Sequence, residues 1–267
     1  MFKKVIESLM YSNALISFGA FSSYCSGVFL IKGEWDAHDL IVAVLVFFGT
    51  VLSYNISRRD SLSKLDQNTP ERIAWMGRHS RFVHQVNILS FVVILSIAPT
   101  LKVWTLFCLL FLGVVSLSYS LPMTIFYGRS KSIREVGVLK IFLIAFVWSS
   151  IFIVLPQLEL GQNLENFFHH WIAQFLFIFA ITLPFDIRDI ATDKIGDIKT
   201  IPHYIGVRGS RILATCALIV ATFLVDQFSL FFLLVLPLIW LNSNKEWFYL
   251  GILDSTIILQ LLYLWWS

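Results

Sequence analysis

Long apolar runs alternate with short polar stretches along the whole chain. Nine runs stand out, at about 9–31, 38–56, 82–99, 101–120, 139–156, 168–185, 211–225, 228–241 and 247–266. A hydrocarbon crossing takes about 20 mostly apolar residues, so each run qualifies or nearly qualifies. Backbone groups in lipid must find partners within their own segment, which makes these segments helices. The pattern predicts an all-α, polytopic membrane protein of about nine helices in one bundle, with residues 1–267 forming a single transmembrane domain. The short runs 211–225 and 228–241 are expected to form a tight helical hairpin. Between the second and third runs lies the longest polar connection, 56–80, and its length with mixed charge suggests function as well as anchoring.

Composition agrees with this. Hydrophobic residues make up 57% of the chain, charged ones 14%, and the mean hydropathy is +0.77. Such a chain can bury its apolar surface only in lipid, which excludes a soluble globular domain. Cys25, Cys108 and Cys216 all fall inside apolar runs without CxxC spacing, so they read as packing residues. The first run has no clear cleavage site and reads as a retained helix.

The net charge of +3 hides a strong asymmetry. Of the 20 Lys and Arg, all but Lys32 and Lys102 fall at the N-terminus or around the connections after runs two, four, six and eight. The positive-inside rule then places the N-terminus and those connections in the cytoplasm. Trp35, Trp104, Trp171, Trp265 and Trp266 fall at the opposite boundary, as an aromatic belt would. No interleaving of basic and aromatic residues points to nucleic acid.

The polar chemistry concentrates at the end of the sixth run. Asp186, Asp189 and Asp193 fall within about 60° of one another on a helix, while Arg188 is expected to point away. Like charges crowded at the mouth of a membrane bundle repel, and a divalent cation relieves the repulsion. A solvated helix end balanced by Arg188, Lys194 and Lys199 is the plainer alternative. On the same membrane side lie Asn55, Arg58, Arg59, Asp60 and Asp66, then Arg72 and Arg78, and then Arg129, Lys131, Arg134 and Lys140. Lys140 either snorkels to the interface or turns inward, and the inward reading is favoured. Asn13 is read as part of a packing face or as reaching a head group. Asp254 lies within the ninth run, where an acid is costly and is expected to face the bundle interior. His169 and His170 are adjacent, so they do not share a helix face and do not read as a metal site.

Together these pieces resemble the UbiA superfamily of intramembrane prenyltransferases. The second Asp-rich motif of that family is matched by Asp186, Asp189 and Asp193, and its Gly…Thr-x-Pro sequel by Gly196, Thr200 and Pro202. Tyr119-Ser120-Leu121-Pro122 is similar to the family's Y-S-x-P element, and Arg72 with Gly77-Arg78 to the end of its first motif region. The first motif itself departs. Asn55 is in place, but Arg59 stands where an acid is expected, and Asp60 and Asp66 come late. On a continuous helix Asn55 and Asp60 are about 140° apart, so they meet at one ion only if the helix breaks at 56–59. Ile73 replaces the proline after Arg72.

The resemblance implies a polar cavity facing the cytoplasm. It implies Mg²⁺ held by Asp186, Asp189 and Asp193, with Asn55 and Asp60 opposite. Asn55, Arg72, Arg78, Lys140 and Lys199 would bind substrate, the cations taking diphosphate charge. The reaction implied is transfer of an isoprenyl group from a prenyl diphosphate to a small lipophilic, aromatic acceptor. The altered first motif leaves two variants open: Arg58 and Arg59 clamp the diphosphate in place of one Mg²⁺, or the protein binds isoprenoid without catalysis. A small transporter using Asp254 predicts inverted repeats, and no convincing pair is present.

Overall fold

A computed structural model describes residues 2–63, 70–120, 137–196, 198–241, 243 and 245–266. The side chains at 2–6, 58–63, 70, 73, 119, 120, 164 and 166 lie outside that description. The expectations for Arg58, Arg59, Asp60 and Asp66 as side chains, for the Tyr119–Pro122 element and for Arg129, Lys131 and Arg134 therefore fall outside the described residues.

The described chain is helical throughout. Its helices are α1 (Phe2–Tyr11), α2 (Ala14–Lys32), α3 (Ala37–Ser63), α4 (Pro70–Arg78), α5 (Ser80–Ile97) and α6 (Val103–Ser120). Then come α7 (Gly137–Ser149), a π-helical turn (Ser150–Val154) and α8 (Leu155–Leu160), followed by α9 (Phe168–Ile195) and α10 (Ile201–Leu224). The chain closes with α11 (Ser229–Trp240), a second π-helical turn (Phe248–Leu253) and α12 (Asp254–Trp266). Seven segments are long and apolar enough to span a membrane, and 103–118 and 226–240 are shorter apolar helices. The expected all-α, multi-pass architecture is thus present.

Three boundaries differ from those the apolar runs suggest. The first run is split because Asn13 adopts φ 64°, a left-handed conformation that asparagine tolerates better than most residues, and α1 separates from α2 there. The polar connection 56–80 is largely helical: α3 continues through its basic end, and α4 follows. The run starting at 211 belongs to a helix beginning ten residues earlier, at Ile201, which is kinked at Gly206 (φ 71°, ψ 173°). Polar sequence concealed these extensions because a helix leaving the bilayer no longer needs an apolar surface.

Helix α2 is the axis of the packing and contacts α3, the first π turn, α8 and α12. Its buried face carries Ser17, Gly19, Ala20, Ser22, Ser23, Ser26 and Gly27, small residues that let neighbouring backbones approach. At Gly27 an added Cβ would overlap the Phe152 carbonyl. The fully buried rings of Tyr24, Phe152, Phe177, Phe228 and Phe232 fill the interior, with Phe177 stacked on Phe232 at 5.2 Å. On α5 and α6, Phe82, Leu89, Phe91, Phe107, Leu110 and Phe111 point outward. An apolar exterior of this kind is what contact with lipid tails requires.

At the end of α2 away from α1, Gly33 (φ 82°) closes the helix, and its N–H donates to the Phe29 carbonyl. Asp36 then starts α3 with a reciprocal pair. Its Oδ1 accepts from the Asp39 N–H, and Asp39 Oδ2 accepts from the Asp36 N–H, both at 2.9 Å.

Candidate active site

The residues that matter are delivered by the opposite end of the bundle. Helix α9 contains Pro184, whose missing N–H frees one carbonyl in the preceding turn. The helix continues past it and carries Asp186, Arg188, Asp189 and Asp193 in its last three turns. Across from it, the start of α7 packs tightly enough that a Cβ at Gly137 would overlap the Lys199 carbonyl. That close approach lets Lys140 reach α9.

A cavity of about 350 Å³ opens among α3, α6, α7, α9 and the π turn before α12. At one end its wall carries Arg72, Lys140, Arg188 and Asp189, Asp254 stands further in, and at the other end it is lined by apolar side chains such as Leu45, Leu109, Trp148, Ile151, Ile178 and Ile257. The lining residues on α3, 45 to 57, span about 18 Å at the helical rise. The cavity is therefore deep and runs from charged to apolar along the helix axes.

Its charges are held in specific pairs. Lys140 Nζ donates to Asp186 Oδ1 at 2.8 Å, and Asp186 is completely buried. Arg188 forks onto its neighbour Asp189, with Nε to Oδ1 at 2.7 Å and Nη2 to Oδ2 at 3.1 Å. The same guanidinium lies 4.7 Å from the Tyr249 ring centroid and 5.5 Å from that of Phe185. Arg72 approaches Glu246, Nη1 to Oε1, at 3.4 Å.

Helix α4, which carries Arg72, is braced by α1. The Tyr11 hydroxyl donates to Glu71 Oε2 at 3.2 Å, and its ring lies 6.2 Å from that of Trp75. Burial, followed by the Glu246 and Glu71 carboxylates, holds the Tyr11 hydroxyl above its ordinary pKa, so it remains a donor.

The structure corrects the expectation for Arg188. Consecutive helical positions diverge, but the arginine stem is long enough to fold back, and its guanidinium faces the cavity beside Asp189. Asp189 lines the cavity, whereas Asp186 and Asp193 are buried and are not among the lining residues. Lys140 turns inward, as favoured.

Asn55 is almost fully buried in a chain of amides. Asn13 Nδ2 donates to Asn55 Oδ1, and Asn55 Nδ2 donates to Asn87 Oδ1, both at 2.7 Å, linking α2, α3 and α5. Its neighbours Ser53, Tyr54 and Ser57 line the cavity instead. Helix α3 runs unbroken past residue 60, so the break at 56–59 that would bring Asn55 and Asp60 to one ion is absent from the backbone. Arg78 is exposed and donates to the Ala74 carbonyl, and Lys199 is exposed beyond α9. Neither lines the cavity. Glu246 and Tyr249 are partners that sequence reading missed, since nothing in the spacing ties them to a motif some 60 residues earlier.

Among the described residues, no three of His, Cys, Asp and Glu come together as a ready metal site. The donor chemistry nonetheless suits a hard cation. Asp186 Oδ2 is buried without a hydrogen-bond partner among the described residues, and Asp189 offers carboxylate oxygens to the cavity.

The model of the UbiA prenyltransferase family matches residues 57–267, well over half of the chain. No curated protein matches the sequence. Among solved structures, the apo form of a UbiA homolog from Aeropyrum pernix K1 aligns with a TM-score of 0.67 at 15% identity, covering 92% of this chain and 96% of that one. A UbiA homolog from Archaeoglobus fulgidus bound to GPP and Mg²⁺ gives 0.63 at 14% identity, over 97% and 99%. A structure from work on digeranylgeranylglyceryl phosphate synthase in membranes gives 0.63 at 15%, over 100% of both chains. At such identities the likeness bears on the fold.

Proposed function

The chain belongs to the UbiA prenyltransferase family, and from that premise we propose that it transfers an isoprenyl group from a prenyl diphosphate to a small lipophilic, aromatic acceptor. The observation carrying this reading is the polarity of the cavity, with Arg72, Lys140 and Arg188 around one end and aliphatic and aromatic side chains at the other. A diphosphate with a hydrocarbon tail has the same polarity. We further read residues 1–267 as one domain, with the N-terminus and the cavity mouth on the cytoplasmic side.

The guanidinium groups of Arg72 and Arg188 bind phosphate oxygens through charge-assisted hydrogen bonds. Lys140 adds a point charge, fixed in place by Asp186. The rings of Phe185 and Tyr249, tilted to each other, orient Arg188. The apolar walls exclude water from the reacting carbon and so limit hydrolysis. Mg²⁺, where bound, would be held by Asp186 and Asp189, with Asp193 beyond, and would neutralise the charge of the leaving diphosphate. Asn55, whose amide is engaged by Asn13 and Asn87, is left out of that site; Asp60 stays assigned to its opposite side, and Arg78 and Lys199 to the approach of the diphosphate.

The test is pyrophosphate release by purified protein supplied with Mg²⁺ and geranyl, farnesyl or geranylgeranyl diphosphate. Wild type is expected to release pyrophosphate, and Asp189→Asn to lose about a hundredfold or more in kcat. Asp66→Asn should matter less. Binding of isoprenoid without release at any chain length would favour a non-catalytic family member, and unchanged turnover in Asp189→Asn would remove the metal assignment.

A further inference from the structure

Two acids line the cavity among the described residues, Asp189 and Asp254. The reaction outlined above uses the first and leaves the second without a task. Asp254 lies within the last membrane span, where an acid is costly and marks a functional site by default. It also follows directly on the π-helical turn Phe248–Leu253, a wide turn of the kind that concentrates at functional sites. Ile151, in the other π-helical turn, lines the same cavity.

The packing fixes the depth of Asp254. The Tyr249 ring meets Phe185 at 5.3 Å and lies against Arg188, which sets the level at which this helix passes α9. Asp254 is five residues further in, deeper by about one π-helical turn. Three residues beyond it, Ile257 and Trp148 both stand close to Gly19, where an added Cβ would be 3.7 and 3.5 Å from them. Asp254 therefore occupies the layer between the cations at the mouth and the apolar floor.

We infer that the Asp254 carboxylate is the counter-charge for the allylic cation formed from the prenyl group, an inference that rests on the prenyl-transfer reading above. In that step the bond from C1 of the prenyl chain to the diphosphate oxygen breaks, and both electrons leave with the diphosphate. Positive charge spreads over C1 and C3. Arg72, Lys140 and Arg188 stabilise the departing anion on one side, and Asp254 faces the carbon fragment on the other. Fixed charges of opposite sign, one layer apart, stabilise the charge separation as it develops. The acceptor then bonds to C1, and its displaced proton passes to the diphosphate.

The experiment compares binding of two probes in the presence of Mg²⁺ and inorganic pyrophosphate. One is a geranyl-like tertiary ammonium with nitrogen in place of the cationic carbon, and the other is its uncharged carbon counterpart. Wild type is expected to prefer the ammonium by about tenfold. Asp254→Asn should lose that preference and Asp254→Glu should keep it. Asp254→Asn should also lower kcat for pyrophosphate release from geranyl diphosphate by about a hundredfold, while its Kd for geranyl diphosphate stays within about twofold. If Asp254→Asn does not purify as a folded protein, Asp254→Ser supplies the uncharged side chain. An ammonium preference that survives neutralisation, or that is absent from wild type able to bind geranyl diphosphate, overturns the assignment. Wild type that fails to bind geranyl diphosphate sinks the prenyl-transfer reading itself.

Discussion

At the end of the bundle remote from the cavity, charged side chains close upon one another. Lys32 reaches Asp36 at 2.6 Å and Asp39 at 3.0 Å, His38 meets Glu159 at 2.7 Å, and the Lys102 N–H donates to the second Glu159 oxygen at 3.2 Å. At the other end, charges of both signs are arranged around a volume large enough for a ligand. Both ends draw on the same residue types. Where each charge is answered by a neighbour, the group stitches helices together; where charges also face a cavity, they can act on something else. Lys140 belongs to both kinds, since it is paired with a buried acid and also lines the cavity.

That dual role gives the largest expected effect. Lys140→Met strands the Asp186 carboxylate in the interior, and breaking a buried pair this way costs about 3–5 kcal/mol. Chemical denaturation in detergent should register the loss, together with loss of pyrophosphate release. Adding Asp186→Asn to Lys140→Met should restore most of the stability but not the turnover, because the pair is then neutral while the site lacks both the Lys140 cation and the Asp186 carboxylate. Recovery of both would place Lys140 with the stitching residues alone.

A smaller effect is expected at the far end. Glu159→Ala removes the partner of His38 and of the Lys102 N–H, at about 1–3 kcal/mol, and kcat should stay within about twofold of wild type. A fall in kcat matching the one expected for Asp189→Asn would erase the distinction between the two ends.

The smallest effect concerns Asp36. The Lys32 ammonium, and after it the Asp39 N–H, lower its pKa to about 2. A depressed carboxylate contributes stability that is present above its ordinary pKa and is lost as pH falls through the folded value. Asp36→Asn should flatten the pH dependence of unfolding between about pH 4 and pH 2. Asp36 is exposed, so the change should be slight and should weaken with salt.

Much of the architecture is legible in hydropathy alone, because lipid imposes one rule on every spanning segment. Helix ends are less legible. Asn13 breaks a run that stays apolar on both sides of it, and α3 and α10 extend into polar sequence where lipid no longer dictates composition. At the site, spacing predicts that three acids share one face of α9, yet it could not foresee which of them the cavity meets. That depends on how α9 is rotated against α7 and on the π-helical turn before α12, neither of which is a local property. Asn55 shows the same limit from the other side. Its place in the sequence matches a motif, while its amide is engaged by Asn13 and Asn87 on other helices.

The contact at Gly27 has a mechanical meaning. Because α2 presses there directly on the Phe152 carbonyl, with the Pro156 ring alongside, the rods of the bundle are pinched together beyond the cavity floor, like tongs gripped near their rivet. Any larger side chain at Gly27 would pry the pinch apart and misalign the helix ends around Arg72 and Arg188 from a distance.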